Sequence, residues 1–329
     1  MSMDGKIMLV INPGAGRGVQ MPHLLKRFFG MRARRQYCRS PEEYLRVIKG
    51  HFEKFGVMVE AQITLERGHA SKIASKCAEE GYRAVIAAGG DGTVNEVLNG
   101  LAGTQTALGV IPIGTANVFA IQTGIPAEIE DACRVIAAAH SIKIDLGRVA
   151  GRYFACMCGI GFDAHVLKVA DSKFKKTFGA IGYALAGMRQ YFRYKFRPMR
   201  LIADGEEICS KGRFVIVCNG KYYGGGMVLA EKADHADGKL DVCILKKSDP
   251  FSMASYIFRI WSGRLRLSSS ASSQQCRQLR IEGGRFAVHA DAEYLGKMNG
   301  IAVDISPLAL NVLCPCDNIL SSNQGSLSL

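Results

Sequence analysis

Short apolar runs alternate with helical patterns in the first 140 residues. Four runs have strand length, and they cover residues 6–12, 57–64, 84–88 and 107–111. Between and after them, apolar residues recur at helical spacing over residues 69–81, 94–101 and 127–139. This alternation predicts a parallel sheet covered by helices, because a parallel crossover needs an intervening helix.

Beyond residue 140 the apolar runs become shorter and closely spaced, with glycine-rich turns between them. Seven strands are predicted, at residues 142–148, 153–158, 201–203, 213–218, 240–245, 279–281 and 286–290. Two helical interruptions are predicted near residues 171–194 and 251–265. We therefore expect an α/β domain over residues 1–140 and a mainly antiparallel, sandwich-like or barrel-like second domain from residue 141.

Composition and charge narrow the chemical classes of partner that the chain is expected to bind. The 329 residues carry a formal net charge of +13, which favours an anionic partner such as nucleic acid, an anionic membrane surface or a phosphate-bearing ligand. None of the usual nucleic-acid-binding motifs is present. The eleven cysteines lack zinc-ligand spacing and are interpreted mostly as reduced apolar residues. Without a signal-peptide or membrane-spanning pattern, we expect a soluble, cytoplasmic protein.

Three glycine-containing turns follow three of the predicted parallel strands, at residues 12–18, 89–93 and 112–115. In open α/β sheets ligands bind beyond the carboxyl ends of the strands, and glycine lets backbone N–H groups approach an anion closely. The turns therefore predict a phosphate-binding site. They match neither the dinucleotide fingerprint nor the Walker loop.

Asp91 stands among three glycines in the second of these turns, where its charge would repel a phosphate. A divalent cation between the two groups would remove this conflict, and so would a hydrogen bond from a neighbouring loop to Asp91. A third interpretation makes Asp91 the N-cap of the helix over residues 94–101. The sequence leaves these alternatives open.

The second turn, Gly89-Gly90-Asp91-Gly92-Thr93-Val94-Asn95-Glu96, resembles the signature of the diacylglycerol kinase catalytic-domain family, which includes bacterial lipid kinases, sphingosine kinases and ceramide kinases. Further segments resemble that family in order along the chain: Asn12-Pro13-Gly14-Ala15-Gly16, Thr64 with Gly68-His69-Ala70, Ile111–Asn117, Ile144–Gly147, Gly159–Ala164 and Asp237–Asp241.

The resemblance implies an N-terminal α/β domain with a parallel sheet, like that of NAD kinases and phosphofructokinases, and a β-sandwich-like domain over residues 141–306. It implies that residues 307–329 return in part to the first domain before a frayed tail. ATP would lie between the domains, on the positions that match the family's ATP contacts: Asn12, Pro13, Gly14, Ala15, Gly16, Thr64, Gly89, Gly90, Asp91, Gly92, Thr93, Val94, Asn95 and Thr115. A structural Mg²⁺ would be held by Asp234, Asp237 and the Lys239 carbonyl.

The general base has three candidates. Where the family has D-G-E, this chain has Asp291-Ala292-Glu293, so Ala292 replaces a glycine. If the turn needs a positive φ there, alanine adds strain of about 1 kcal/mol. Asp291 and Glu293, two apart on one strand, would face the same side, and one would accept the substrate proton. Asp91 is the alternative base.

A basic, aromatic segment over residues 168–200 suggests contact with a membrane surface, and residues 251–267 form a weaker candidate. We therefore expect an ATP- and Mg²⁺-dependent lipid kinase that acts on diacylglycerol or a sphingoid-like lipid and associates peripherally with membranes. The expected partners are a membrane lipid, an anionic membrane surface and, for a homodimer, a second copy of the chain; no nucleic acid is expected. The alternatives are a kinase of a soluble metabolite and an inactive lipid- or nucleotide-binding protein.

Overall fold

Four parallel strands form the first part of the molecule. The computed structural model describes residues 5–14, 40–169, 187, 189–261 and 271–316. The strands are β1 (Ile7–Ile11), β2 (Glu60–Ile63), β3 (Ala84–Gly89) and β4 (Ala107–Pro112), in the order β2-β1-β3-β4. Every residue of β1, β3 and β4 is buried, as is typical of a parallel sheet covered on both faces.

The helices of this domain are α1 (Pro41–Lys54), α2 (His69–Glu79), α3 (Asp91–Leu101), α4 (Val118–Gln122) and α5 (Ile129–Ala137). Ser40 is the N-cap of helix α1, and its hydroxyl accepts a hydrogen bond from the Glu43 N–H at 3.2 Å. It buries Tyr44, Ile48 and Phe52, which are spaced four residues apart and so share one face. The fold prediction for this half, a parallel sheet with helices on it, is confirmed.

The second half of the chain consists mainly of short antiparallel strands. They are β5 (Ser141–Val149), β6 (Arg152–Phe154), β7 (Met157–Ile160), β8 (Met199–Ala203), β9 (Glu206–Gly212), β10 (Phe214–Cys218), β11 (Tyr222–Tyr223), β12 (Met227–Val228), β13 (Leu240–Leu245), β14 (Ala271–Cys276), β15 (Gln278–Glu282), β16 (Phe286–Ala290), β17 (Glu293–Met298) and β18 (Ile301–Leu313). Among the described residues of this half, two helices accompany them, α6 (Phe162–Val169) and α7 (Pro250–Trp261).

Two sheets pack face to face in this half. One continues the parallel sheet in the order β4-β18-β15-β8-β9, with β5 paired to β18 and β6 to β5. The other has the order β14-β13-β10-β7-β16-β17, and all its pairs are antiparallel. Apolar side chains of both sheets, among them Leu201 and Ile281 from the first and Val217 and Val288 from the second, form one buried core. The predicted sandwich-like architecture is confirmed.

Strand β18 connects the two halves of the molecule. Its residue Val312 pairs in parallel with Leu108 of β4, whereas most of the strand runs antiparallel to β5. The strand is irregular between Ser306 and Leu310, and there the Leu308 N–H donates to Asp145 Oδ1 at 2.7 Å. One continuous β-sheet therefore runs through both halves, and this sheet fixes their relative position.

No helix within the described ranges combines the length and apolar character needed to pass through a bilayer. Most of the helix predicted near residues 171–194 lies outside the described residues, as does the end of the one predicted to reach residue 265.

The turn between β16 and β17 corrects one prediction. Ala290 pairs with Glu293, so Asp291 and Ala292 form a two-residue hairpin turn instead of belonging to one strand. Both have positive φ, 44° and 65°, as a type I′ turn requires. The prediction that Asp291 and Glu293 face the same side of a strand is therefore wrong, because the alternation of strand faces stops at Ala290.

Replacing Ala292 by glycine is expected to stabilise the protein by about 0.5–1 kcal/mol. The left-handed conformation costs alanine about 1 kcal/mol or more, and glycine's larger entropy in the unfolded chain offsets only part of that gain. Urea unfolding of Ala292→Gly measures the difference. Ala290→Gly, in the adjoining strand, serves as the matched control and is expected to destabilise. An unfolding free energy equal to or below that of the wild type in Ala292→Gly would contradict the strained turn.

Candidate functional site

The carboxyl ends of the four parallel strands meet at one edge of the sheet. Asn12 follows β1, Thr64 follows β2, Gly90 follows β3 and Thr115 lies just beyond β4. Thr64 is buried, and its N–H donates to the Ile11 carbonyl at 2.8 Å, whereas Thr115 is exposed. The parallel topology thus brings residues from all three glycine-containing turns to one edge, where open α/β sheets bind ligands.

Two of these turns touch through their backbones. A Cβ added to Gly114 would collide with Cα of Gly90, and one added to Gly89 would collide with the Thr93 side chain. These three glycines are therefore needed for packing within the protein itself. Gly92 differs, because within the described part of the chain nothing lies within 4 Å of where its Cβ would be. Its backbone is open to a ligand.

Asn12 links the first turn to the second. Its amide nitrogen donates to Thr93 Oγ1 at 3.0 Å, and its amide oxygen accepts from the Gly14 N–H at 2.8 Å. Pro13 is part of the same turn, whereas Ala15 and Gly16 lie outside the described residues. The asparagine thus holds the first turn against the start of α3.

The first turn of α3 is set by Gly90, which is its N-cap; the helix begins at Asp91. The interpretation of Asp91 as the N-cap of a helix over residues 94–101 is therefore wrong. The N–H groups of Thr93 and Val94 both donate to the Gly90 carbonyl, and the Val94 side chain is buried in the core. Contacts of these two residues with a ligand would have to be made by other atoms.

Asp91 instead accepts a hydrogen bond from the first turn of helix α4, next to the third glycine-containing turn, whereas the alternative had placed the donor in a loop. Its Oδ1 accepts a hydrogen bond from the Phe119 N–H of α4 at 3.2 Å. The pKa of Asp91 is raised to about 6, chiefly by burial and also by the charge of Asp291, whereas this hydrogen bond lowers it. The surroundings of Asp91 thus disfavour the ionised form of its carboxyl group. Shifted pKa values of this kind are common at functional sites.

Asp291 is buried, and both of its carboxylate oxygens accept hydrogen bonds. Its Oδ1 accepts from the N–H groups of Cys156 and Met157 at 2.9 and 3.0 Å. Its Oδ2 accepts from the Ala155 N–H at 2.7 Å and from the Asn95 side-chain amide at 3.1 Å. Burial raises the pKa of this carboxyl and the hydrogen bonds oppose that rise. Asp291 therefore points inward from the positive-φ turn and is buried, not exposed to solvent.

Helix α3 contacts the second half of the molecule through a polar stripe. Asn95 and Asn99 are four residues apart on one face, and both amide nitrogens donate to the Tyr153 carbonyl, at 3.2 and 3.0 Å. The Tyr153 N–H in turn donates to Asn99 Oδ1 at 2.9 Å. The helix that starts at the glycine turn therefore contacts both β6 and, through Asn95, the hairpin turn that holds Asp291.

Glu293 lies at the solvent side of this junction and is held by two arginines. Its Oε1 accepts from Arg67 and its Oε2 from Arg152, both at 2.7 Å. Sequence reasoning did not single out either arginine. Arg67 stands inside the Thr64–Ala70 segment used for the family resemblance, which was a usable signal; Arg152, at the start of β6, belongs to no motif.

The three residues proposed for a structural metal lie in one turn. Asp234 Oδ1 accepts from the Ala236 N–H and Asp237 Oδ1 from the Lys239 N–H. The pKa of Asp237 is raised, first by burial and also by the charge of Asp234. The same turn is tied to Asp145, whose Oδ2 accepts from the Gly238 N–H at 2.7 Å. In the portion of the chain that is described, no three His, Cys, Asp or Glu side chains cluster as metal ligands do.

Both halves of the chain match known protein families. The family model of the diacylglycerol kinase catalytic domain matches residues 38–149, and that of the YegS C-terminal NAD kinase β-sandwich-like domain matches residues 156–314. A relative from Pseudomonas putida named "Probable lipid kinase YegS-like" is 33% identical over 205 residues, which span 62% of this chain and 69% of that protein. The chain belongs to the diacylglycerol kinase catalytic-domain family.

Other members of the diacylglycerol kinase family agree. A "Diacylglycerol kinase" of Mycobacterium tuberculosis is 30% identical over 243 residues, covering 72% of this chain and 78% of the relative. The crystal structure of a diacylglycerol kinase from Bacillus anthracis superposes with a TM-score of 0.73 over 95% of this chain and 97% of that one; at 23% identity it shows the shared fold. The predicted family and the predicted enzyme class, an ATP-dependent lipid kinase, are confirmed by these matches.

Replacing Asp91 by asparagine is expected to stabilise the protein at pH 8 by about 1–3 kcal/mol and to abolish phosphoryl transfer. Because the pKa of Asp91 is raised from 3.8 to about 6, its ionisation costs folding free energy, and the wild type loses this stability as the pH rises through that range. Asparagine carries no charge and still accepts the Phe119 hydrogen bond.

Urea unfolding of Asp91→Asn and wild type at pH 4, 6 and 8 provides the measurement, and the difference should vanish near pH 4. Asp131→Asn removes an exposed aspartate of α5 and should shift stability by less than about 0.5 kcal/mol at each pH. Equal stabilities of Asp91→Asn and wild type at pH 8 would show that burial of the charge costs nothing.

Proposed function

We propose that this family member transfers the γ-phosphoryl group of ATP to a hydroxyl of a membrane lipid, such as diacylglycerol or a sphingoid-like lipid. The hydrogen bond between Asn95 and Asp291 carries the proposal, because it joins the glycine turn of the first domain to the carboxylate-bearing turn of the second. Phosphate-binding and proton-accepting groups then belong to one site, as phosphoryl transfer to an alcohol requires.

ATP would bind along the edge formed by the three glycine turns. The proposed contacts are those implied by the family: Asn12, Pro13, Gly14, Ala15, Gly16, Thr64, Gly89, Gly90, Asp91, Gly92, Thr93, Val94, Asn95 and Thr115. The open backbone at Gly92, the exposed Thr115 and the positive end of α3 support this placement.

Among the three candidate bases, the contacts favour Glu293. All four hydrogen bonds of Asp291 serve to fix the turn, and Asp91 accepts from α4. Glu293 keeps 22% of its side chain exposed, and the partners of its carboxylate among the described residues are the side chains of Arg67 and Arg152, which are 70% and 32% exposed. In the reaction the lipid oxygen attacks the γ-phosphorus, the bond to the β-phosphate oxygen breaks to release ADP, and the hydroxyl proton passes to Glu293.

Magnesium is part of the proposal at two places. When bound with ATP, the ion would neutralise the phosphate charge, and Asp91 is the residue that we propose would face it. A second ion would be held by Asp234, Asp237 and the Lys239 carbonyl. The repulsion that Asp234 exerts on Asp237 is compatible with a cation, but two carboxylates are few, so water would have to complete its shell.

The aromatic, basic segment supports contact with a membrane surface. Tyr194 and Phe196 pack inward against Phe162, whereas Phe192 is 78% exposed. Phe251, at the start of α7, is 89% exposed, and the Tyr191 hydroxyl joins the two regions by donating to the Ser248 carbonyl. Exposed cations lie close to both rings in the sequence: Arg193, Lys195, Arg197, Lys246 and Lys247. Exposed rings among cations are typical of an interfacial membrane contact.

The purified protein is expected to transfer label from γ-labelled ATP to a lipid alcohol presented in mixed micelles. A panel of diacylglycerol, sphingoid bases and water-soluble alcohols identifies the acceptor. Label in a water-soluble alcohol alone would favour a kinase of soluble metabolites. Intact ATP binding without label in any acceptor would support the inactive binding protein instead.

Replacing both Phe192 and Phe251 by serine is expected to weaken binding to anionic vesicles by about tenfold or more, because two interfacial rings are lost. Co-sedimentation with vesicles containing phosphatidylglycerol measures the effect. Met58→Ser removes a side chain that is 83% exposed elsewhere on the surface and should bind as the wild type does. Unchanged binding of the double variant would exclude this surface as the membrane contact.

A further inference from the structure

The carboxylate of Glu293 holds two guanidinium groups that come from different parts of the fold. Arg67 belongs to the turn between β2 and α2 in the first domain, and Arg152 begins β6 in the second. Each arginine takes one oxygen of Glu293 through its Nη2, both at 2.7 Å. The pair formed by Arg67 and Glu293 therefore bridges the two domains beside the proposed reaction site.

A substrate hydroxyl has no unoccupied oxygen to approach on this carboxylate. Each of its two oxygens already accepts a charge-assisted hydrogen bond from a guanidinium, so an arginine stands at either oxygen. Glu293 can thus take the proton of a substrate hydroxyl only after at least one guanidinium has moved away. The proposed base is blocked in the arrangement that the structure shows.

The two arginines stand where phosphates are expected. Arg67 follows the carboxyl end of β2, three residues after Thr64, and Arg152 Nη2 lies 3.4 Å from Asn95 Oδ1 on α3. The guanidinium fork matches phosphate oxygens at least as well as a carboxylate. The Arg67 side chain is 70% exposed, and ion pairs this exposed are weak enough to exchange partners.

We propose that Arg67 and Arg152 form a latch on Glu293 that ATP opens: the guanidinium groups pass from the carboxylate to the phosphates of the bound nucleotide, and Glu293 becomes free to accept the proton. The release of Glu293 as the base rests on the proposed function, whereas the exchange of partners requires nucleotide binding alone. Arg67 and Arg152 are positioning residues in this scheme, since they control the base through their choice of partner.

A latch of this kind makes Glu293 a competitor of the nucleotide. Replacing Glu293 by glutamine is expected to tighten the binding of a non-hydrolysable ATP analogue by about three- to tenfold, because the arginines no longer have to leave a carboxylate. Arg67→Gln is expected to weaken binding by about tenfold through loss of a phosphate contact. In the double variant Arg67→Gln/Glu293→Gln the gain from the glutamine should shrink, because the two side chains act on each other.

Isothermal titration of the full-length protein with the analogue in magnesium-containing buffer measures these constants. Arg148→Gln is the matched control: it breaks the pair between Arg148 and Asp304, at 3.0 Å, on the strand that precedes Arg152, and should leave the affinity unchanged. Thermal midpoints confirm that each variant is folded. A role in structure alone would lower the midpoint of Glu293→Gln without tightening the nucleotide.

Affinity of Glu293→Gln equal to or weaker than that of the wild type overturns the latch, even if the wild type labels a lipid. Tighter binding in this variant together with a wild type that labels no acceptor overturns the proposed function and leaves the exchange of partners standing. A gain that is equally large with and without Arg67 removes Arg67 from the latch.

Discussion

The arrangement of the site depends on the hydrogen bonds that the buried carboxylate of Asp291 accepts. It accepts three backbone N–H groups from residues 155–157 and one amide N–H from Asn95. Hydrogen bonds to a charged group contribute on the order of 1.5–3 kcal/mol each, and together they offset part of the cost of burying the charge. Because Asn95 belongs to α3, this one carboxylate locks the second domain onto the helix that starts at the glycine turn.

The same junction gathers more negative charge than stability alone would favour. Asp291 helps to raise the pKa of Asp91, which is itself half-buried beside α4, and Glu293 lies on the same hairpin as Asp291. Three carboxylates at one edge would repel each other and any phosphate without cations nearby. Arg67 and Arg152 supply part of the compensation. Such a balance, in which charges are held in place by partners that a ligand can replace, is typical of sites where binding and catalysis are coupled.

Much of the fold followed from local patterns. The buried runs of β1, β3 and β4 and the periodic face of α2 are strong signals, since they depend on residues close in sequence. The errors fell at element ends, where backbone hydrogen bonds decide the boundary and hydrophobic periodicity does not. Asp291 left the strand because Ala290 pairs with Glu293, and α3 begins at Asp91 because the Gly90 carbonyl accepts the first helical hydrogen bonds.

The sequence by itself determined the two-part architecture, the family and the motifs that mark the phosphate-binding edge, because hydrophobic periodicity and glycine-rich turns are encoded locally. Only the tertiary structure decided what each carboxylate does. Asp91 accepts a hydrogen bond from Phe119 of α4, which is 28 residues away in the sequence. Asp291 binds Asn95 across 196 residues, and Glu293 binds Arg67 across 226 residues. Pairings over such separations depend on how β18 and the sandwich orient the two halves, which no stretch of the chain specifies alone.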